Sequence, residues 1–296
     1  MSYIIGVDAG GTKTEITAYD STGKELKTVI KGSGNFVENF EDALMVIIEG
    51  IKDVKMSIEK NERCKHIVVG AAGINASGKG RIISQRLKEC FSVKVTLIGD
   101  GELAHYAILQ GEDGDLVIAG TGSVIINKYK GIWKRYGGWG PILGDEGSGY
   151  KLGISLIKNC LMEFDLNKSQ SEISKSVLEH LNCDDIMKLP SIIKTLTKSE
   201  IANVTKVLLS HDDSDPLAIK IIKREAEGLA EEYITFHKTF FKDNNANIGL
   251  NGGIIINNDT FREAFLNKIT SSNFILKVKM PQNKISKGAY YFDLLQ

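Results

Sequence analysis

The amino-acid sequence predicts an α/β protein made of two related lobes. At 296 residues the chain can bury one large hydrophobic core or two modest ones. Short apolar segments typical of buried strands alternate with helical patterns along it. In addition, one local pattern, an apolar strand followed by a Gly/Thr turn and a returning strand, occurs at 3–19 and again at 116–129. A separation of roughly a hundred residues suits two lobes better than a solenoid.

The first copy begins with an apolar strand, Tyr3–Asp8, that ends in a carboxylate, and it returns as the alternating strand Thr14–Tyr19. The turn between them contains Gly10, Gly11, Thr12 and Lys13. Because the two glycines lack a Cβ, a bulky anion can approach the backbone amides closely. The threonine and the lysine add donors beside them. Taken alone, an ordinary tight hairpin explains this stretch equally well.

The second copy runs from the strand Leu116–Ala119 into the strand Val124–Tyr129. Its turn contains Gly120, Thr121, Gly122 and Ser123. Two hairpins of this type can face each other across a cleft and hold a polyphosphate between them. Neither turn has the spacing of a P-loop or of a dinucleotide-binding fingerprint, so those two kinds of nucleotide site are excluded.

Composition and charge narrow the class of protein. Lys+Arg and Asp+Glu both number 37, so no net field favours nucleic acid or an anionic membrane. No stretch approaches the ~18 to 20 apolar residues of a membrane span. The chain enters a strand almost at once, so we expect neither a signal peptide nor an appended DNA-binding module. The scattered cysteines, Cys64, Cys90, Cys160 and Cys183, predict reduced thiols and a cytoplasmic location.

Three motifs together resemble a known superfamily. Asp8-Ala-Gly-Gly-Thr-Lys13, Ala119-Gly-Thr-Gly-Ser123 and Leu250-Asn-Gly-Gly-Ile254 are similar to the phosphate and adenosine motifs of actin, Hsp70 and the sugar kinases. Within that superfamily the chain most resembles the N-acetylglucosamine kinase and BadF/BadG/BcrA/BcrD group. The similarity extends from residue 3 to about residue 290, and its sharpest part is the glycine-rich segment 137–149.

The resemblance implies two actin-like (ribonuclease H-like) lobes, each with a mixed sheet and flanking helices, and a ligand cleft between them. The N-terminal lobe is expected to contain residues 1–112, and the C-terminal lobe residues 113–283. The C-terminal helix, 284–296, is expected to pack back onto the first lobe.

The implied function is ATP-dependent phosphorylation of an amino sugar. The favoured acceptor is the 6-hydroxyl of N-acetylglucosamine or a close N-acetylhexosamine; N-acetylmuramate, glucosamine and N-acetylmannosamine stay open. The expected cofactors are ATP and Mg²⁺, with Asp8 orienting the ion through water. The two turns would hold the β- and γ-phosphates, and Gly252 and Gly253 would lie against the adenosine.

The resemblance also assigns residues to the sugar. Asp100 follows a predicted buried strand, and the aspartate after this strand in related kinases is the general base; an N-cap is the alternative. Asn35 would bind a sugar hydroxyl, or else cap the helix predicted over 37–60. Gly73 leaves room for a ligand or for the other lobe.

The segment 137–149 is rich in glycine, which costs backbone entropy and is therefore more typical of a loop that wraps a ligand than of a structural loop. Trp139, between Gly138 and Gly140, offers an aromatic face to a sugar ring or its acetyl group, and a core anchor at the lobe interface is a structural role compatible with that one. Asp145 would accept hydrogen bonds from sugar hydroxyls, and Glu146 would do the same or anchor the loop.

Two other functions stay open. Related ATPases activate CoA-dehydratases or benzoyl-CoA reductases with an iron–sulfur cluster, which requires cysteine ligands across a dimer interface. Related sugar sensors carry a DNA-binding segment, and no such segment is recognisable here. For the kinase, the expected partners are only the amino sugar, ATP and a second copy of the chain, because a homodimer is usual among the relatives.

Overall fold

The computed structural model describes residues 2–36, 39–59, 62–74, 78–210 and 215–296. The chain divides into two compact units. The first unit contains Met1–Leu116, Lys128–Lys130 and Lys279–Gln296, and the second contains Val117–Asn127 and Gly131–Val278. Each unit has a five-stranded sheet with flanking helices, so the predicted α/β class is confirmed.

The strands of the first sheet are β1 (Ser2–Ala9), β2 (Thr14–Asp20), β3 (Glu25–Lys31), β4 (Arg63–Ala71) and β5 (Lys94–Gly99). Those of the second sheet are β6 (Gly114–Ala119), β7 (Ser123–Tyr129), β8 (Ile132–Gly137), β9 (Asn245–Asn251) and β10 (Ile275–Lys279). The described helices are α1 (Phe40–Met56), α2 (Gly80–Phe91), α3 (Asp100–Leu109), α4 (Gly149–Asp165), α5 (Glu172–His180), α6 (Leu189–Thr195), α7 (Lys198–Asn203), α8 (Pro216–Phe240), α9 (Gly253–Asn257), α10 (Asp259–Thr270) and α11 (Gly288–Leu294).

Both sheets have the same strand order. In the first sheet it is β3-β2-β1-β4-β5, and in the second it is β8-β7-β6-β9-β10 when read in the same direction. The central strand of each sheet is therefore the strand that precedes a Gly/Thr turn. The repeat seen in the sequence thus reflects two units with one topology, and residues 10–13 correspond to the turn at 120–122.

The first sheet places polar side chains at one edge. Strand β1 pairs with β2 in antiparallel and with β4 in parallel orientation, and β4 is parallel to β5. Asp8 is the register partner of Glu15 on β2 and of Gly70 on β4. Because β1, β4 and β5 are parallel, their carboxyl ends meet at one edge, which is where ligands bind in sheets of this kind. Asp8 near the end of β1 and Asp100 just after β5 both belong to that edge.

Helix α1 covers the first sheet with an apolar face that repeats at helical spacing. Its residues Leu44, Ile47, Ile51 and Val54 are fully buried, each contributing about 1.5 to 3 kcal/mol of hydrophobic free energy. Residues 37, 38 and 60 of the predicted helix lie outside the described part of the chain. The N-cap is Asn39, whose side chain accepts a hydrogen bond from the Asp42 amide at 3.3 Å. The interpretation of Asn35 as the helix cap is therefore wrong.

The C-terminal segment packs on the first unit because two glycines leave room for it. A Cβ on Gly6 of β1 would collide with the carbonyl oxygen of Ser286, and a Cβ on Gly288 would collide with that of Leu103 in α3. The Ser286 hydroxyl donates to Glu15 Oε1 at 2.7 Å and lies 2.8 Å from the Tyr19 hydroxyl. Helix α11 and the turn before it are thereby tied to the strands that carry the Asp8 edge.

The second unit has its own core, in which α8 and α10 pack together over the sheet. Tyr233, Phe236, Phe261 and Phe265 are among its fully buried side chains. Its helical segment 169–209, for which the sequence offered no functional motif, contains α5, α6 and α7. Among the helices that the structure describes, none combines the length and the apolar character needed to cross a lipid bilayer.

Candidate functional site

The turn between β1 and β2 presents its backbone to solvent. It is closed by a hydrogen bond from the Gly10 amide to the Lys13 carbonyl at 3.0 Å. Gly11, Thr12 and Lys13 are exposed. A Cβ on Gly11 would have the Asn35 side-chain nitrogen 3.9 Å away and no other atom within 4 Å. The structure therefore brings Asn35 to the side of this turn and leaves the approach to the Gly11 backbone open.

An excess of negative charge lies next to this turn. Burial raises the pKa of Asp8 to about 6, with further contributions from the nearby carboxylates of Glu15 and Asp100, while Lys13 opposes the increase. Two carboxylates directly opposite each other on antiparallel strands repel, so a cation at this edge would be stabilised. In the described part of the chain no group of three or more His, Cys, Asp or Glu side chains could hold a metal ion. The donors present fit an ion that keeps most of its water and phosphate ligands, as Mg²⁺ does.

Asp100 is exposed at the start of α3. The N-cap residue of this helix is Gly99, and Asp100 is its first helical residue, so the interpretation of Asp100 as the cap is wrong. A carboxylate in the first turn is nevertheless favoured by the helix dipole. Gly73, with φ of +73°, follows β4 at the same edge, since the Ala72 amide donates to the Ala9 carbonyl at 3.0 Å.

The turn between β6 and β7 is one residue shorter than its counterpart and is fixed from two sides. It is closed by a hydrogen bond from the Gly120 amide to the Gly122 carbonyl at 2.9 Å. The first two amides of α4 donate to it, from Gly149 to the Gly120 carbonyl at 2.7 Å and from Tyr150 to the Thr121 carbonyl at 3.3 Å. The carbonyl oxygens of all three turn residues therefore already accept hydrogen bonds from backbone amides.

Ser123 differs from the sequence prediction in its position. It is the first residue of β7 and not part of the turn. Its side chain is buried, and its hydroxyl donates to the Glu146 carbonyl at 2.8 Å. The hydroxyl thus holds the glycine-rich loop in place, a role that the sequence did not indicate.

A cavity of about 350 Å³ in the second unit adjoins this turn. Its walls are Gly120 and Thr121 of the turn, the start of α4, the segment 202–208, and Gly253 with Asn257. Its volume lies within the range of small-molecule sites. Sequence reasoning located the glycines but missed Asn203, Thr205 and Lys206, because helical residues of ordinary composition carry no motif that could have identified them.

The two glycines after β9 serve different purposes. Gly252 has φ of +96°, and a Cβ there would collide with the Ala119 carbonyl oxygen, so the fold itself requires glycine. At Gly253 a Cβ would meet only Asn257 Nδ2, at 3.8 Å. A side chain at 253 is therefore compatible with the fold and would extend into space beside the cavity.

The glycine-rich loop exposes its aromatic residue. Gly137, Gly138, Gly140 and Gly147 all have positive φ. The Trp139 side chain is 69% exposed, so it is not part of the core of its own unit. The Arg135 guanidinium stacks over the indole at 4.7 Å and donates to the Gly137 and Gly138 carbonyls at 3.1 and 3.0 Å. The indole is thus supported by Arg135 of the preceding strand β8 and is available to a ligand.

The two acidic residues of the loop have different environments. Asp145 is only 2% exposed, has φ of +64°, and lies 2.7 Å from the Lys198 ammonium. Glu146 forms an ion pair with Lys151 of α4 at 2.8 Å, which agrees with the loop-anchoring alternative. Lys198 at the start of α7 is a further residue beside the second turn that the sequence did not indicate.

Comparison with known proteins agrees with this geometry. The chain matches the BadF/BadG/BcrA/BcrD ATPase family over residues 5–290. It is 31% identical to an N-acetylmuramic acid/N-acetylglucosamine kinase of Clostridium acetobutylicum, over 90% of this chain and 91% of that protein. It is 27% identical to a glucosamine kinase of Vibrio cholerae, over 80% and 81% of the two chains.

Among solved structures, a candidate N-acetylglucosamine kinase from Chromobacterium violaceum superposes with a TM-score of 0.77 at 23% identity, over 99% of each chain. At that identity the likeness concerns the fold. The predicted actin-like class is therefore confirmed.

The negative charge around Asp8 leads to a prediction about the pH at which the Asp8 carboxyl group titrates. In the free protein, the carboxyl carbon of Asp8 followed by NMR should titrate near pH 6. Glu15→Gln should lower the pKa of Asp8, since it removes a charge but keeps the oxygen that accepts from Ser286. Lys13→Met should raise it. A midpoint near the ordinary value of 3.8 in the unsubstituted protein, or equal midpoints in all three, would contradict this description of the edge.

The same shift has a consequence for stability. The pKa of Asp8 is higher in the folded protein than the 3.8 of an unperturbed carboxyl, so the folded state binds this proton more tightly. Its contribution to the free energy of unfolding is present below pH 3.8 and is lost as the pH rises to about 6. Glu15→Gln should reduce that loss in denaturant titrations made across this pH window.

Proposed function

We propose that this chain, which belongs to the BadF/BadG/BcrA/BcrD ATPase family, is an ATP-dependent kinase of amino sugars. The observation that carries the proposal is the cavity bordered by both Gly120 and Gly253, the glycines of two separate motifs. It is supported by the kinases of N-acetylmuramic acid, N-acetylglucosamine and glucosamine to which the chain is similar. The acceptor that we favour is the 6-hydroxyl of N-acetylglucosamine or a close N-acetylhexosamine.

In this proposal the adenosine occupies the cavity of the second unit. Its phosphates extend to the turn at Gly120–Gly122. The Gly120 and Thr121 carbonyl oxygens of this turn already accept from α4, and the Gly122 carbonyl accepts from the Gly120 amide. The turn Gly10–Lys13 of the first unit, considered by itself, offers phosphate oxygens exposed backbone at Gly11, the Thr12 hydroxyl and the Lys13 ammonium. Phosphoryl transfer depends mainly on such positioning and charge neutralisation.

A magnesium ion bound to the phosphates would neutralise charge that develops on them during transfer. Asp8 would hold it through water. The raised pKa of Asp8 and its opposition to Glu15 describe a carboxylate that is better accommodated next to a cation than alone. This role is consistent with the small number of protein ligands that Mg²⁺ usually takes in nucleotide sites.

Asp100 acts as the general base. Its carboxylate accepts the proton of the sugar hydroxyl while the hydroxyl oxygen forms a bond to the γ-phosphorus. The bond between that phosphorus and the bridging oxygen breaks, and its electron pair leaves with ADP. Position supports this assignment, since Asp100 is exposed at the same sheet edge as Asp8.

Each unit, taken by itself, offers residues that we assign to the sugar. From the first unit, Asn35 and the open backbone at Gly73 would accommodate its hydroxyls. From the second unit, the exposed Trp139 indole between Gly138 and Gly140 would pack on the ring or its acetyl group. Asp145 would accept from a hydroxyl, and Glu146, paired with Lys151, would keep the loop in place.

Removal of the base tests the chemical step. Asp100→Asn should lower kcat for sugar phosphorylation by roughly 10²- to 10⁴-fold and change the KM of ATP and of sugar only a few-fold, because the amide has nearly the same shape but cannot take the proton. Steady-state kinetics with coupled detection of ADP measures both constants. Turnover close to that of the unsubstituted protein would remove Asp100 from the mechanism.

Occupation of the cavity tests the nucleotide site. Gly253→Val should raise the KM for ATP at least about tenfold, as expected for a loss of 1.4 kcal/mol or more in binding, and leave that for the sugar nearly unchanged. Apart from its chain neighbours and the backbone of its own helix, the atom nearest to a Cβ at 253 is Asn257 Nδ2 at 3.8 Å, so the fold should persist. Gly228→Val is the matched control, since a Cβ at 228 also has open space but lies away from the cavity. Equal increases in both constants would contradict the placement.

A further inference from the structure

We propose that Lys198 binds the terminal phosphates of the nucleotide and, in doing so, releases Asp145 to bind the sugar. This inference deepens the proposed kinase function and rests on it. It assigns a role to α7, a helix that the sequence left without one.

Asp145 is a buried carboxylate with an unused acceptor. Its residue is 2% exposed, and its Oδ2 atom is buried without a hydrogen bond. The Lys198 Nζ atom approaches Oδ2 to 2.7 Å, so the contact is an ion pair that lacks hydrogen-bond geometry. A buried carboxylate is costly unless its charge is neutralised and its oxygens are bonded. The charge of Asp145 is neutralised by Lys198, but its Oδ2 atom accepts no hydrogen bond.

The ion pair lies directly against the second turn. A Cβ at Gly122 would be 2.6 Å from Lys198 Nζ and 3.0 Å from Asp145 Oδ2. Glycine at position 122 therefore leaves the space in which the Lys198 ammonium contacts the turn. The same lack of a side chain leaves room for a ligand on the turn. An anion bound to the turn amides would be within reach of the same ammonium, whose side chain is 38% exposed and can reorient.

The base of the lysine is held rigidly. Lys198 is the first residue of α7, and Thr197 caps this helix in a reciprocal arrangement with Glu200. A Cβ on Gly153 of α4 would collide with the Ile201 carbonyl oxygen, so α7 packs backbone to backbone on α4. Since the first amides of α4 bond to the turn, turn, α4 and Lys198 form one framework. Only the end of the lysine side chain has freedom to move.

These observations indicate that the Lys198 ammonium can exchange one anionic partner, Asp145, for another, the phosphates. Without nucleotide, the ammonium neutralises Asp145. With a polyphosphate on the turn, the ammonium moves toward the phosphate oxygens, and Asp145 Oδ2 becomes available to a sugar hydroxyl, whose donated hydrogen bond replaces the ion pair. Binding of nucleotide then favours binding of sugar, and by linkage the sugar favours the nucleotide equally.

The test compares Lys198→Met with Lys194→Met, which removes an exposed lysine of α6 four positions earlier. Calorimetric titration with the non-hydrolysable β,γ-imido analogue of ATP should show at least about tenfold weaker binding for Lys198→Met, the usual effect of losing one charge-assisted contact. AMP, which lacks the terminal phosphates, should bind both variants equally. Lys198→Arg should restore most of the affinity for the analogue.

Sugar titrations test the coupling. In the unsubstituted protein, the ATP analogue should increase the affinity for N-acetylglucosamine, and in Lys198→Met this increase should disappear. Asp145→Asn should weaken sugar binding without weakening the analogue. Because Lys198→Met leaves a carboxylate buried without its cation, the double variant Lys198→Met/Asp145→Asn serves if the single one does not fold; it should show the same tenfold loss for the analogue.

The outcomes separate the two levels of the proposal. Equal weakening of AMP and of the ATP analogue would assign Lys198 a purely structural role and overturn the inference. Analogue binding that matches the Lys194→Met control would also overturn it, while sugar phosphorylation by the unsubstituted protein would leave the kinase function intact. An unsubstituted protein that binds neither the analogue nor an amino sugar would overturn both.

Discussion

One backbone hydrogen bond in each unit, from Gly10 to the Lys13 carbonyl and from Gly120 to the Gly122 carbonyl, is the constraint on which the rest of the structure depends. Each bond closes a tight turn at the end of the central strand of its sheet. A strand that returns beside its predecessor needs such a turn, and glycine keeps its backbone accessible. The parallel strands β1 and β5 of the first sheet then bring Asp8 and Asp100 to the same edge, and in the second unit α4, the glycine-rich loop and α9 converge on the turn. The candidate site is thus a consequence of sheet topology.

The protein's own side chains leave charge incompletely compensated where ligands are proposed to bind. Asp8 is opposed by Glu15, and Asp145 is buried with a single lysine for compensation. In a protein that only had to be stable, both arrangements would be costly, because like charges repel and buried carboxylates lose their hydration. A cation at the first position and a hydrogen-bond donor at the second would remove these costs. Site residues whose charges are satisfied only by a ligand are a recurrent property of functional sites.

The sequence predicted those features that a local pattern determines. Strands β1 and β2 end within one residue of the predicted Tyr3–Asp8 and Thr14–Tyr19, and the two turns were located because glycine, threonine and an apolar strand recur together. Ser123 was misplaced, because the second turn is one residue shorter than the first, a difference that only pairing along the strand fixes. Lys198, Asn203 and Lys206 were missed altogether, since their relevance comes from α7 packing on α4 and not from their neighbours in sequence. The cap at Asn39 was missed because Asn35 precedes the same helical pattern.

The central claim, sugar-dependent phosphoryl transfer, is tested most directly by identifying the product. The purified protein would be incubated with ATP, Mg²⁺ and N-acetylglucosamine, and the reaction followed by ³¹P NMR with detection of coupling to sugar protons. We expect a phosphate monoester whose phosphorus couples to the methylene protons at C6, formed in step with ADP and absent without the sugar. Release of inorganic phosphate at a rate that no amino sugar changes would contradict the account and would indicate an ATPase that activates another enzyme.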